Sequence, residues 1–480
     1  MSTLDVLRDE VNEMLARADQ NSSISATVTF NVRPALEPDF LANANKLTMA
    51  TKKLEGVRTF GFHKHRKFRG EATAPGVVEY LIYEDWSTVA SFRPQWNSPH
   101  LLEFQNSVFA LVTDAPVLTF FYGPPDVHPA TPLRTGQRRC WDANGREIAP
   151  SRSTGQDGGL RKGLVIAGPR FTDNNNGTVT DNLTGLIWLK NANLFGDVSW
   201  LQAQENAAAL SSGSAGLTDG SKPGDWRMPN INELQSLLDL DRSNGPSLPE
   251  DHPFDNLMCA NYWSTTSVAV APPLGFYTAL AVGPPVFDLK LNSMRMWPVR
   301  GGSNPRIPQT GATQCFDAMT GKEIACAGTG QDAALRMGIP HPAPRFTDNE
   351  DGTVTDDLTG LVWLKNANAF GTRPWQDALD SCNQLASSSH GLTDGSKAGD
   401  WRLPNFNELH SLVDYSRFAP AMTPGHPFLN VRPSLYWSST TVASAPNLAR
   451  FVFIGVGPGV WDHKSVRLNV WPVRDATHQS

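Results

Sequence analysis

Cysteine is scarce in this chain: five residues in 480, with no CxxC pair. That excludes a disulfide-scaffold protein and a CxxC-type metal or redox centre. Only Cys315 and Cys326 are near neighbours, flanking FDAMTGKEIA. They have two readings, a disulfide closing a short loop, worth roughly 2–3 kcal/mol, and two free thiols. Long apolar runs are also missing. No stretch approaches the ~20 residues that cross a bilayer, so no membrane span is expected. At the N-terminus, Asp5, Asp9, Glu10 and Glu13 stand where a secretion signal needs basic residues and then an apolar run. Leu4, Leu7, Val11, Met14 and Leu15 fall at helical spacing instead, which predicts an amphipathic helix over 1–22. The expected location is the cytoplasm, or outside the cell by a signal-free route. Basic charge is sparse as well. Lys+Arg total 41 against 47 Asp+Glu, the net charge is −6 and the pI is near 6.0. A nucleic-acid footprint is excluded on that balance, while a local basic pocket for an anion is not.

What the chain does have is a repeat. RFTDNNNGTVTDNLTGLIWLKNANLFG (170–196) returns as RFTDNEDGTVTDDLTGLVWLKNANAFG (345–371). GLTDGSKPGDWRMPNINELQSLLD (216–239) returns as GLTDGSKAGDWRLPNFNELHSLVD (391–414), and HPF, YWS(T/S)T and WPVR also recur. A period near 175 residues is too long for a solenoid unit, so these are two whole domains. The chain divides into an N-terminal helix (1–22), a domain over 23–125, repeat A over 126–302, a Gly/Pro/Ser linker at 303–307 and repeat B over 308–475. Within a repeat, CWDANGREI reads as a hairpin and RFTDNxxGTVTDNLTGLxWLK as strands joined by Asn/Gly and Thr-Gly turns. PNINELQSLLD and PNFNELHSLVD read as helices, with Asn230 or Asn405 as N-cap and Glu233 or Glu408 completing a capping box. The last third of each repeat reads as several short strands, so each repeat is α+β.

The ordered set TGQxxCxDAxG, FTDNxxGTVTDNLTGLxWLK, DWRLPNxxEL, YWSST and PVR resembles the Lcl C-terminal domain family, named for a bacterial collagen-like adhesin. RLPNxxEL and the terminal VR also resemble C-type lectin-like folds of the formylglycine-generating-enzyme type. The first resemblance implies a ligand-binding or adhesive module, with anionic, sulfated polysaccharide as the kind of partner, and no catalysis. Repeat A departs from the pattern where Pro150 or Ser151 replaces Cys326 and where Ala207 replaces Cys382.

Three groups in the repeats are candidates for chemistry. Asp173, Asn175 and Asp181, with their counterparts Asp348, Glu350 and Asp356, place oxygens around a glycine. Such a loop suits a hard cation such as calcium, and equally a hairpin turn. Arg227 and Arg402, before the capped helix, read as anion hooks or as ion pairs with Glu233 or Asp225 and their counterparts. In the variable last third, Arg450, His463, Lys464 and Arg467 form the basic group that would bind an anion; the bland alternative is solvated surface charge. The tryptophans, and the aromatic position shared by Phe287 and Trp461, read as core.

Residues 23–124 carry a β-α-β-β-α-β order, the ferredoxin-like arrangement. EDWSTVASFRPQWNSPHLLEFQNSVFALVTDAPVLTFF resembles the antibiotic biosynthesis monooxygenase (ABM) family. The resemblance implies a dimeric α/β barrel and, in some members, cofactor-independent oxygenation of small aromatic substrates. Its pocket candidates are Asn31, His63, His65, Tyr80, Trp96 and His100, with His100, Trp96 and Asn31 the catalytic choices. Asn106 stands where the haem-degrading branch has a histidine, which argues against haem chemistry. The resulting expectation is an α+β chain whose ferredoxin-like domain, pairing with a second copy, presents two C-type lectin-like modules to an anionic polysaccharide. The alternatives are a structural or assembly protein, and a monooxygenase with the repeats as targeting modules.

Overall fold

The computed structural model describes residues 11–12, 15, 22–51, 57–64, 78–86, 89–96, 98–108, 111–112, 117–125, 130–165, 169–301 and 306–476; of the strands at 57–64, 78–85 and 117–125 it describes the backbone alone. Most of the expected helix over 1–22, all of His65, linker positions 303–305 and the side chains of His63 and Tyr80 lie outside these residues. The chain divides after Val127 into two units.

In the first unit β1 (Ser22–Val32), α1 (Glu37–Thr51), β2 (Val57–Lys64), β3 (Val78–Trp86), α2 (Val89–Trp96), α3 (Pro99–Val108) and β4 (Val117–Pro125) follow in order. The strands form an antiparallel sheet in the order β2-β3-β1-β4, which is the ferredoxin-like topology. Strand β1 buries alternate residues Val28, Phe30 and Val32, as its period of two dictates. Helix α1 answers with Phe40, Ala44 and Leu47, and α3 with Leu101, Phe104 and Val108, each a stripe at helical spacing. The Phe30 ring lies 5.4 Å from Phe40 and 6.0 Å from Phe104. Val11 and Leu15 are buried in the same cluster.

The second unit holds both repeats. Each body carries a four-stranded sheet: Phe171–Asp173, Thr178–Asp181, Ile187–Leu189 and the returning Val299–Arg300 in repeat A, and Phe346–Asp348, Thr353–Asp356, Leu361–Leu364 and Val473–Asp475 in repeat B. The WPVR motif therefore closes the domain on its third strand. A second sheet contains Asn261–Ser267, Leu274–Ala279 and Pro285–Leu289, matched by Leu435–Thr441, Leu448–Phe453 and Gly459–His463. The helices Ile231–Ser236 and Phe406–His410 both carry complete capping boxes. Trp188 and Trp297 pair in a tilted arrangement and Trp363 and Trp471 edgewise in the two cores, with ring centres 5.2 and 5.5 Å apart. The ten tryptophans at these shared positions are buried. Phe287 is exposed and Trp461 half-buried, so that position, expected in the core, lies instead at the surface, in the middle of a short edge strand.

The residues before each body, 130–165 (arm A) and 306–341 (arm B), are where the two repeats interlock. Each arm is a small hairpin and one helical turn, tied by a parallel bridge between its ends, Leu133 to Leu164 and Pro308 to Ile339. Arm A docks on repeat B. Thr440 donates to Asp157 at 2.6 Å, the Gln137 amide exchanges two hydrogen bonds with the Thr441 backbone, and Asn405 and Asn407 donate to the carbonyls of Lys162 and Leu133. Arm B docks on repeat A through the matching set: Thr266 to Asp332 at 2.6 Å, Asn230 to Met337 and Asn232 to Pro308. Both arms also touch their own repeat, where Leu240 N–H donates to the Thr135 carbonyl and Tyr415 N–H to that of Thr310.

This exchange explains a peculiarity of the YWS strands. A strand on a one-sided sheet exposes every second residue, yet Tyr262–Ser267 and Tyr436–Thr441 are buried at every position. Four of the six residues in each stretch are Ser or Thr, whose hydroxyls need partners once buried. The arm of the other repeat supplies one in each strand, Asp332 for Thr266 and Asp157 for Thr440.

A candidate anion-binding cleft

Where arm A meets the body of repeat A, a cleft of about 220 Å³ opens, lined by Arg134, Arg138, Arg161 and Arg170 together with Asp157, Asp239, Leu183 and Leu238. It shares Arg138, Asp239 and Pro249 with a wider surface hollow of about 510 Å³. The local fold sets each arginine in place. Arg134 lies in the bridged segment, its N–H bonded to the Leu164 carbonyl and its Nε to that of Gly163 at 3.2 Å. Arg161 ends the helical turn Asp157–Leu160 in a left-handed conformation, φ 51°, which turns the chain back toward Arg134. Arm A presses so closely on repeat A at Gly136, φ +89°, that a Cβ there would stand 2.2 Å from the Asp239 carboxylate.

The charges of the cleft do not balance. Arg170 is committed to the buried Asp181 at 3.2 Å, and Arg138 lies 3.7 Å from Asp239 and 3.6 Å from Asp241. Arg134 and Arg161 are exposed and, among the described residues, have no acidic partner. Burial, and then the neighbouring Arg161 guanidinium, pull Arg134 below its ordinary pKa. Asp157 is taken up by the Thr135 and Thr440 hydroxyls, and burial pushes its carboxyl up to about 6. Two guanidinium forks facing one hollow suit a sulfate or carboxylate group.

The positions singled out from sequence are used differently. Arg450 and Lys464 are buried. Arg450 crosses to repeat A, where Nη2 donates to the Val282 carbonyl at 2.6 Å. Lys464 donates to the Trp141 and Asp142 carbonyls of arm A, its ammonium 4.1 Å above the Trp375 ring. Lys290 sits likewise 4.1 Å above Trp200, and burial pulls both amines down to about 7. His463 and Arg467 stay exposed, with Asn447 and the Thr372 carbonyl as partners. The structure thus does not gather the four into one surface.

In the two Asp/Asn loops, Asp173 accepts from Asn175 N–H and from Lys190 at 2.7 Å; Asp348 accepts from Glu350 N–H and from Lys365. The lysine bonds hold both carboxyls below their ordinary range. Asn175 and Glu350 take the left-handed conformation of tight hairpins, while Asp181 and Asp356 turn inward to Arg170 and Arg345. Among the described residues no group of three or more His, Cys, Asp or Glu is arranged to hold a metal ion. Arg227 pairs with Glu233 through two bonds of 2.7 and 2.6 Å. Arg402 pairs with Glu408 and with Asp475 at 2.7 Å. Both arginines lock loop to helix.

In the N-terminal unit, His100 is half-buried at the start of α3, its Nε2 2.7 Å from Gln95 Oε1 and 3.2 Å from Ser98 Oγ. Burial lowers its pKa. Trp96 is buried against Phe92, and Asn31 is half-buried on β1 opposite Glu79. The three lie on three different elements.

The sequence does not group the arginines of the cleft: Arg134, Arg138 and Arg161 lie outside any charged cluster, and Arg170 belongs to the repeated RFTDN motif. One signal was available: Arg134 and Arg138 have Gln309 and Thr313 at the matching places of repeat B.

A family model described as Lcl C-terminal domain matches residues 177–300 and 352–474, together just over half of the chain. The matches cover the two bodies except their first strands, and leave out both arms. No curated protein matches the chain. Among solved structures, Rv0793 of Mycobacterium tuberculosis is similar to 21% of this chain over 93% of its own length, at 20% identity and a TM-score of 0.18. PA3566 of Pseudomonas aeruginosa is similar to 22% of the chain over 97% of its length, at 15% identity and a TM-score of 0.18. A protein described as an antibiotic biosynthesis monooxygenase is similar to 21% of the chain over 99% of its length, at 13% identity and a TM-score of 0.18.

Proposed function

We propose, for a chain that belongs to the Lcl C-terminal domain family, that the interlocked repeats form one ligand-binding module. The ligand is an anionic polysaccharide, and sulfate or carboxylate groups of the glycan seat between Arg134 and Arg161. The observation that carries this is the pair of guanidinium groups facing a cleft without acidic partners. A surface arginine is normally solvated or paired. Two that crowd each other at a concave site fit an anion that relieves the repulsion. On this reading the module is lectin-like in role, and the ferredoxin-like domain joins two chains, so that a dimer offers two clefts and gains avidity on a polymer.

The test is binding of the full-length chain to heparin-type and neutral oligosaccharides, with calcium and with chelator. Sulfate-selective binding that fades with salt, and falls roughly tenfold in Arg134→Ala or Arg161→Ala, is the expected result. Equal binding of neutral and sulfated sugars would reject the cleft. A chelator-sensitive signal would return the Asp173 and Asp348 loops to the calcium reading. No binding at all would favour an assembly role for the interlocked repeats.

A second reading places oxygenation of a small aromatic substrate in the N-terminal domain. It is favoured by the Gln95–Ser98–His100 cluster beside buried Trp96. Turnover lost in His100→Ala would support it.

A further inference from the structure

We infer that repeat B is the positioning partner of repeat A's anion cleft: it grips arm A, and the two uncompensated arginines of the cleft ride on that arm. The inference rests on the anion reading of Arg134 and Arg161, and adds to it that the site belongs to the pair of repeats and not to repeat A alone.

The two walls of the cleft have different anchors. Arg170, Leu183, Leu238 and Asp239 belong to the body of repeat A. Arg134 and Arg161 belong to arm A; repeat A holds the arm beside Arg134 through Leu240 N–H on the Thr135 carbonyl, and the side chains that hold the arm around both arginines come from repeat B. Thr440 donates to Asp157 four residues before Arg161, and Asn405 donates to the Lys162 carbonyl next to it. Lys162 itself pairs with Asp475, and Asn407 donates to the Leu133 carbonyl beside Arg134. Four repeat B side chains thus bracket the two arginines at positions one to four residues from them in sequence, without entering the cleft lining. Arm A turns on bonds that depend on this grip: Arg161 N–H to the Asp157 carbonyl at 2.7 Å, and Leu164 N–H to that of Pro132 at 2.9 Å. A shift of about 1 Å between two guanidinium groups is enough to spoil a shared anion.

The pseudo-symmetry supplies an internal control. Thr266 grips Asp332 of arm B as Thr440 grips Asp157 of arm A. Arm B carries Gln309 and Thr313 where arm A carries Arg134 and Arg138. Loosening arm B should therefore perturb the fold to a similar degree and leave the cleft intact.

The experiment compares Thr440→Val, Asn407→Ala, Arg161→Ala and Thr266→Val in the full chain. Affinity is measured with a heparin tetrasaccharide, and hydrogen exchange is followed at the Arg161 and Leu164 amides. Expected are a roughly five- to tenfold affinity loss in Thr440→Val and Asn407→Ala, faster exchange at both amides, and affinity within about twofold of the parent in Thr266→Val. Loss in Arg161→Ala with unchanged affinity in Thr440→Val and Asn407→Ala would overturn the positioning role and leave the anion site standing. Equal losses in Thr440→Val and Thr266→Val would overturn it too, as a mere stability effect. If the unmodified chain binds no tetrasaccharide, the anion reading fails. The grip then stands if Thr440→Val alone speeds exchange at those amides, and falls if it does not.

Discussion

Arms A and B follow one plan and end in different chemistry. Both bury an aspartate between two threonine hydroxyls at the junction, Asp157 with Thr135 and Thr440, Asp332 with Thr310 and Thr266. Both bodies hold a lysine over a tryptophan beside the incoming hairpin. Arm B is then closed by the Cys315–Cys326 disulfide, where arm A has only Cys140 near the Thr154 hydroxyl. Arm A carries the extra arginines, and arm B has polar residues in their place. Most of the buried contacts that hold the two repeats together are duplicated, except the Gln137–Thr441 pair, which arm B lacks because Ala312 stands at the matching place, whereas the solvent side has diverged further.

The largest expected difference between the copies lies at the DWR arginines. Both form buried ion pairs with the capping-box glutamate, and removing one partner of such a pair costs roughly 3–5 kcal/mol. Arg402 also holds Asp475, which in turn pairs with Lys162 of arm A. Arg402→Ala is therefore expected to lower the urea midpoint more than Arg227→Ala and to loosen arm A as well. Equal shifts would break the link between the Arg402 network and the exchanged arm. Next in size is the disulfide. Cys326→Ser, or a reducing agent, should cost about 2–3 kcal/mol for a loop this short. Cys140→Ser should leave the response to reductant unchanged, because no second sulfur faces that residue.

How much of this was legible in the sequence depends on whether a feature is local or crosses the repeats. The capping boxes and the Arg227–Glu233 pair rest on spacings of a few residues, and the tryptophan cores and the β-α-β-β-α-β order on patterns contained within one domain, so the chain itself displays them. The exchange of arms does not show, for a physical reason. Thr266 and Thr440, or Asn230 and Asn405, are the same residue in the two bodies, so each arm meets an equivalent surface on either repeat and nothing in the residue pattern separates the two dockings. Arg450 and Lys464 looked like solvent charges because their acceptors are backbone carbonyls of the other repeat, and backbone carbonyls carry no sequence signature. The run of Ser and Thr inside the YWS strands was the one hint that a polar partner would cover them.

The duplicated junction should behave alike in both copies, and pH tests this. The folded carboxyls of Asp157 and Asp332 titrate at about 6, above the ordinary 3.8. Folding therefore favours their protonated form. Their contribution to stability is complete below about pH 4 and is lost as pH rises through 6, on the order of 3 kcal/mol per carboxyl. Lys290 and Lys464 run the other way: at about 7, below the ordinary 10.5, they contribute fully above pH 10.5 and lose that contribution as pH falls through 7. The four groups together thus add least to stability between about pH 6 and 7. Asp157→Asn and Asp332→Asn should flatten the acid limb by equal amounts in pH-dependent urea unfolding. A clear inequality would mean that the two junctions are not equivalent.

The smallest effect is the most pointed, because it asks whether arm B can be given what arm A has. Gln309 Nε2 already reaches the Gly338 carbonyl at 3.4 Å, the counterpart of the Arg134 bond to Gly163. Arg336 takes the same left-handed turn, φ 47°, as Arg161 at φ 51°. Asp414 stands against Gly311 as Asp239 stands against Gly136. The backbone for a second cleft is therefore present, and Gln309→Arg with Thr313→Arg supplies the missing side chains. Isothermal titration with a heparin tetrasaccharide should move from one site per chain toward two, the new site weaker than the first by up to about tenfold, since one charge-assisted hydrogen bond decides that much. One site of unchanged affinity would show that the arginines alone do not make the difference between the repeats. The cause would then have to lie in the disulfide-pinned hairpin of arm B, and the same titration in a Cys326→Ser background would reveal it.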